Sequence, residues 1–386
     1  MNILKSITTI CTFPLLLTSY PSHASSSTLL TSSTPKSPLS DELTMIVGTY
    51  TGGTSKGLYS FRFDQHTGIA TPLSHTEIKN PSYFTVSNDG KQVYAVSELG
   101  EQEAAVTAFD FDATQGTFKR RNTERTFGAD PCNITTNGQV VVTANYSGGN
   151  VSIFPLRKDG TLEPTSTIEQ FKGKGMDPKR QAKPHLHCVM FSPDGKYLFA
   201  NDLGTDHIYR FDHLTTSASK ALKLNPSATL TLKAGSGPRH LTFAPNGKQA
   251  YLINELSGTV VVFDYKKGKL TPKQEIAADT VNAQGSADIH VSPDGAFLYA
   301  SNRLKADGIA IFKIDRKTGQ LTKVGYQLTG IHPRHFNITP NGKYLLVACR
   351  DNNAIQVFER DPRSGLLTKT DQEIKVDQPV CIKWVN

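Results

Sequence analysis

A tight glycine turn recurs along this chain. The segments SNDGK, TNGQ, SPDGK, APNGK, SPDGA and TPNGK place Gly90, Gly138, Gly195, Gly247, Gly295 and Gly342 at intervals of 48, 57, 52, 48 and 47 residues. A period of this size restricts the fold more than any bulk property, because it means one supersecondary unit used repeatedly. Asp or Asn presets each turn, and Gly takes the positive φ that it requires. Alternating apolar residues flank it, as in HLTFA before Gly247 and QAYLIN after it, the pattern of two half-buried strands. A second turn follows in most copies (DQHTGIA, DATQGTF, RKDGTLE, KKGKLT, RKTGQLT, PRSGLLT) and joins a strand such as TVVVFDY to another such as TPKQEI. The unit is four antiparallel strands, A to D, and that unit at this period is a β-propeller blade.

Six turns do not mean six blades. The chain ends in QPVCIKWVN, a strand A with no turn and no partner after it. The segments TMIVGTY, KGLYSFRFD and IATPLSHTEI read as strands B, C and D with no strand A before them. Joining the two ends completes a seventh blade and removes the exposed sheet edges. The expectation is an all-β, seven-bladed β-propeller over residues 44–386, closed by the C-terminal strand entering the N-terminal blade. A single tryptophan, Trp384, disfavours the WD-repeat and tryptophan-docked propellers.

Residues 1–24 read as an export signal: Lys5 supplies the positive start, Ile7–Leu17 a short apolar run, and Ser22-His23-Ala24 the small-residue cleavage pattern. The run is too short to span a membrane. Residues 25–43, rich in Ser, Thr and Pro, read as a disordered linker. The mature protein is expected in the periplasm or secreted, with the cytoplasm as its place if the signal is misread. The net charge of +8 is spread over lysines in DGK and NGK turns, with no aromatic-interleaved basic patch, so no nucleic-acid partner is expected. Cys132, Cys188, Cys349 and Cys381 stand singly in apolar strand contexts and read as buried free thiols.

Counting from each turn glycine gives a coordinate along the blade. Eight residues before it stand His187, Arg239 and Arg334, and eight after it Glu98, Tyr146, Leu203, Glu255, Arg303 and Arg350. Strand A is innermost in a propeller, so its beginning opens on the central funnel. His187, Arg239, Glu255, Arg303 and Arg334 are therefore expected around one mouth, while Glu98 and Arg350 read as links between blades. A cationic ring of this kind favours an anionic ligand.

At these residues the chain resembles the seven-bladed lactonase propellers, a family that includes propeller-type bacterial 6-phosphogluconolactonases and fungal carboxy-cis,cis-muconate cyclases. The resemblance runs from VGTYTGG (Val47–Gly53) to QPVCIKW, and four segments carry it: KPHLHCVMFSPDGKYLFANDLGTDHIYRF, GPRHLTFAPNGKQAYLINEL, SADIHVSPDGAFLYASNR and PRHFNITPNGKYLLVA. In the cyclase branch a histidine, two arginines and a glutamate act in the chemistry. Carried over by motif, they are His187 in PHLHC, Arg239 in GPRH, Glu255 in INEL and Arg303 in SNR. His185, His240, His335, Asp202 and Asn145 match positions that the family keeps polar, and with Arg334 they are expected to bind substrate.

Opening a lactone requires an activated water and support for the developing oxyanion. On this reading His187 and Glu255 share acid–base work, Arg239 faces the reacting carbonyl, and Arg303 with Arg334 holds a distal phosphate or carboxylate bidentately. No cofactor is expected, and no metal, since the histidines lack a carboxylate cluster at ligand spacing. The partner is a small anionic lactone and the protein a monomer. The alternatives are a cyclase-like lactonising enzyme and a non-catalytic propeller that captures an anionic ligand, because the fold serves both purposes.

Overall fold

The structure, a computed structural model, describes residues 41–213 and 222–385. They form seven antiparallel sheets of four strands, one of which carries an additional short strand. In six blades the strand leading into the glycine turn is innermost: Phe84–Val86, Pro131–Thr136, Leu186–Phe191, Pro238–Phe243, Ser286–Val291 and Pro333–Ile338. Pro379–Val385 is the seventh, and each of these strands contacts the next all the way round, which makes a closed inner ring. The six turn glycines all have φ between +66° and +84°, a region that a side chain makes costly.

Closure follows the expected route. Pro379–Val385 lies antiparallel to Glu42–Thr49 and pairs Thr44 with Val385, Ile46 with Lys383 and Gly48 with Cys381. That sheet continues outward through Gly57–Asp64 and Ala70–Glu77. Its first strand begins at Glu42, two residues before the expected boundary at 44, because Leu43 is buried and pairs with Phe63. The expected signal, 1–24, and most of the expected linker lie outside the described residues. Among the described residues no helix is long and apolar enough to cross a membrane.

The apolar core lies between neighbouring sheets. Met45, Val47, Leu346, Ile355 and Ile382 form one such layer across the closure, and Val142, Val151, Leu186 and Ala200 form another. Each fully buried side chain of this size contributes about 1.5–3 kcal/mol. The four described cysteines are free and buried, in line with their isolated strand contexts. The axis itself is left to polar side chains carried by the inner strands.

Those strands share a defect that decides where their side chains point. The pairing of Leu186 with Asp202 is followed by that of Cys188 with Asn201, which leaves His187 as an extra residue. Arg239 and Arg334 are extra in the same way, and so is Cys132. A β-bulge bends its strand and re-aims the side chain it carries. Four bulges at the same level of the ring thus turn Cys132, His187, Arg239 and Arg334 toward the funnel.

Candidate active site

The residues eight positions after each turn glycine are fixed by one recurring backbone link. The N–H groups of Glu98, Tyr146, Leu203, Glu255, Arg303 and Arg350 bond to the carbonyls of Asn80, Asp130, His185, Gly237, Gly285 and His332, each just before its blade's inner strand. Glu98, Tyr146, Glu255 and Arg303 consequently meet the bulge residues Cys132, His187 and Arg334 in a pocket of about 180 Å³, which Tyr50 and Arg180 complete. A larger groove of about 660 Å³ lies at the outer surface between blades, but no buried carboxylate, arginine or histidine lines it.

Glu255 is buried at the centre of the arginines. Its Oε2 accepts from Arg239 Nε at 2.8 Å and its Oε1 from Arg180 Nη2 at 2.6 Å, and Arg303 Nη2 stands 3.3 Å from Oε2. Burial alone would raise its pKa, but the charges of Arg303, Arg239 and Arg180 outweigh burial and hold it at about 2. His187 Nε2 faces the same oxygen from 3.8 Å, too far for a hydrogen bond. Burial, with the charges of Arg239 and Arg334, holds the His187 pKa well below the usual histidine value, so the ring is neutral at pH 7. Its Nδ1 lies 3.6 Å from Cys132 Sγ, and Tyr146 packs edge-on against it.

Arg334 has a different environment. No hydrogen bond within the described residues engages its guanidinium, which lies over the Tyr50 ring at 5.5 Å with Glu98 Oε2 at 3.9 Å as its nearest carboxylate. Glu98 in turn accepts from Tyr50 Oη at 2.9 Å and from Ser82 Oγ. Arg303 is buried and anchored by Nε to the Gly285 carbonyl at 2.8 Å and by Nη1 to His332 at 3.2 Å. Arg180 is 38% exposed on its side chain and also reaches Tyr146 Oη at 3.4 Å.

Of the expected catalytic set, His187, Glu255 and Arg303 line the pocket, and Arg334 of the expected binding set joins them. Arg239 is not among the lining residues: it is 1% exposed, and its Nε and Nη1 bond Glu255 and the Ala287 carbonyl. His185 stacks on Tyr146 at 4.3 Å and bonds its carbonyl through Nδ1. Asp202 accepts from the N–H groups of His185 and Gly204 and from Thr205 Oγ1, holding a turn. Asn145 is wholly buried and ties Thr143, Asn150 and Ser152 together. Arg350 turns outward onto Asp351.

His240 and His335 belong to a second cluster on the axis, around Asp288. Oδ1 of Asp288 pairs with His240 Nδ1 at 2.8 Å, Oδ2 with His290 Nε2 at 2.9 Å, and His335 Nε2 stands 3.5 Å from Oδ2. Asp288, His290 and His335 offer three ligand atoms within 4.8 Å of one another, a set that sequence spacing conceals because His335 comes from the next blade. Hydrogen bonding sets the ring protons, however. His240 Nε2 accepts from Arg239 Nη1 and His335 Nδ1 from the Ile382 N–H, which puts their protons on the nitrogens that face Asp288. The Asp288 carboxylate thus accepts from His240, His290 and the Phe336 N–H, while His335 Nε2 is buried with no hydrogen-bond partner among the described residues.

Sequence reasoning set Glu98 aside as a link between blades, yet it lines the pocket, and it left Tyr50, Cys132 and Arg180 unassigned. The eight-residue count already held Glu98 and Tyr146. Arg180 lies in GMDPKRQ, outside the repeat, where Asp177 Oδ1 accepts its N–H and the buried Gln181 bonds Leu203 and Asp206.

The family model described as "Lactonase, 7-bladed beta-propeller" matches residues 44–384. The chain is 37% identical over 344 residues to the 6-phosphogluconolactonase of Formosa agariphila, covering 86% of this chain and 97% of that one. Among solved structures, it is similar to a candidate 6-phosphogluconolactonase from Bacteroides fragilis, with 59% identity, a TM-score of 0.89 and coverage of 91% and 99%. It is also similar to the periplasmic gluconolactonase of Pseudomonas aeruginosa, at 34% identity and a TM-score of 0.84 over 89% of this chain and 99% of that one. With a match that runs through all seven blades, this chain belongs to the seven-bladed β-propeller lactonase family.

Proposed function

We propose that the protein is a hydrolase that opens a sugar-derived lactone carrying an anionic group, with 6-phosphoglucono-1,5-lactone as its preferred substrate. The observation that carries this reading is Arg334, a cation that faces the pocket and makes no hydrogen bond among the described residues. A guanidinium in that state is a fork of donors matched to phosphate or carboxylate. Arg180, at the exposed side, supports it. Arg303 is buried and anchored, and serves the carbonyl oxygen as negative charge develops there, where one such donor is worth about 3–4 kcal/mol. It takes the role expected of Arg239, whose Nε and Nη1 are engaged by Glu255 and the Ala287 carbonyl. Glu255 acts as the clamp that keeps three guanidinium groups in register, and the neutral His187 orients the attacking water.

The test is hydrolysis of phosphorylated and plain gluconolactone side by side. Turnover of the phosphorylated lactone with the higher kcat/KM is expected, and turnover of neither overturns the reading. A second reading, an unphosphorylated lactone met outside the cytoplasm, is favoured by the export-like residues 1–24 and by the similarity to a periplasmic gluconolactonase. Export is tested separately: protein from its native cells should begin near Ser25 and appear in the periplasmic or secreted fraction. Intact Met1 on cytoplasmic protein contradicts it.

A further inference from the structure

Two carboxylates reach the pocket, and their surroundings divide the labour between them. Glu255 touches Arg180, Arg239 and Arg303, so taking up a proton would break an ion-pair cluster in a buried setting. Glu98 is bound by two hydroxyls, those of Tyr50 and Ser82, which rotate to suit either protonation state. Arg334 Nη2 lies 3.9 Å from Glu98 Oε2, near it and not hydrogen-bonded to it. The Glu98 backbone is anchored on both sides, with its N–H on the Asn80 carbonyl and its own carbonyl accepting from Asn80 Nδ2. When two carboxyl groups share a site, the environment of each decides which one moves protons.

We infer that Glu98 is the general base of the lactone hydrolysis proposed above, an assignment that rests on that reading. A water between Glu98 and the lactone carbonyl gives one proton to the Glu98 carboxylate while its oxygen bonds to the carbonyl carbon. The carbonyl π pair moves to the oxygen, which Arg303 supports. Collapse of this tetrahedral intermediate breaks the bond from that carbon to the ring oxygen, and the proton held on Glu98 passes to the departing ring oxygen. The products are an open-chain hydroxy acid, which ionises in water, and Glu98 restored as carboxylate. No oxidant, reductant or further reactant enters.

The experiment compares wild type, Glu98→Gln, Glu98→Asp, Glu98→Ala and Glu255→Gln on 6-phosphogluconolactone across pH. Glu98→Gln should lower kcat by about 100-fold or more with little change in KM, and the fall of kcat on the acid side of the profile should vanish. Glu98→Asp, which keeps a displaced carboxylate, should retain more activity than Glu98→Gln. Formate added to Glu98→Ala should restore part of the rate. Glu255→Gln should keep the acid limb whatever activity it loses, because its damage is to the arginine clamp. If wild type hydrolyses the lactone and Glu98→Gln or, should that variant not fold, Glu98→Ala without formate matches it in kcat, Glu98 is not the base and the lactonase reading stands. If wild type opens no lactone, both fall together.

Discussion

Glu255 and Glu98 occupy the same position in different blades, yet one touches three guanidinium groups and the other two hydroxyls. The difference comes from Arg180, Arg239 and Arg303, which reach Glu255 from a loop, a bulge and a neighbouring blade. None of these approaches is written in the residues next to the glutamate, so the count from the turn glycine places the two carboxylates alike and conceals how differently they are held. The histidines behave in the same manner. Burial first, then the Arg239 charge, lowers His240 from 6.5 to about 4, and the same two causes hold His187 well below 6.5. In the unfolded chain both imidazoles take up protons near pH 6.5, while folded His240 stays neutral until about pH 4 and folded His187 stays neutral well below 6.5. Their contribution to stability is therefore complete above pH 6.5 and is lost progressively as the pH falls toward 4. The thermal midpoint should drop over that window, and His240→Gln should show a shallower drop than wild type. A midpoint constant from pH 7 to 4 contradicts this assignment of the buried imidazoles.

At the scale of the strand, the repeat was legible because each hairpin carries its own turn glycine, and the rim was legible because the count from that glycine follows one backbone link. The bulges were not legible. A bulge is an event between two strands, with Arg239 left over when Pro238 pairs with Asn254 and His240 with Ile253, and local residue types do not announce it. The Asp288 cluster escaped for a related reason, since its histidines are gathered from three inner strands. Closure, by contrast, was announced by unmatched strands at the two ends of the repeat. The closing strand is held by fully buried residues, and Ile382 packs with Met45, Val47 and Leu346. Ile382→Ala should cost about 2–5 kcal/mol, whereas Ile331→Ala, at a side chain 57% exposed, should stay within about 0.5 kcal/mol. Denaturant melts of the two variants decide it, and equal midpoints would mean that the terminal strand does not seal the ring.

Across the whole molecule, the ring gives each blade one or two side chains to contribute at a common level, and the arginines among them outnumber the carboxylates around the pocket. Seven copies of an ordinary hairpin thereby build a site that no single blade contains. On the proposed reading this site recognises an anionic lactone through Arg334. The most direct measurement is the ratio of kcat/KM for 6-phosphogluconolactone to that for gluconolactone, in wild type and in Arg334→Met. Wild type should prefer the phosphorylated substrate, and that preference should fall by about 10-fold or more in the variant, through KM, as expected for a lost ion-paired contact to a group that does not react. A ratio unchanged by the substitution, or a wild-type protein that opens neither lactone, would contradict it.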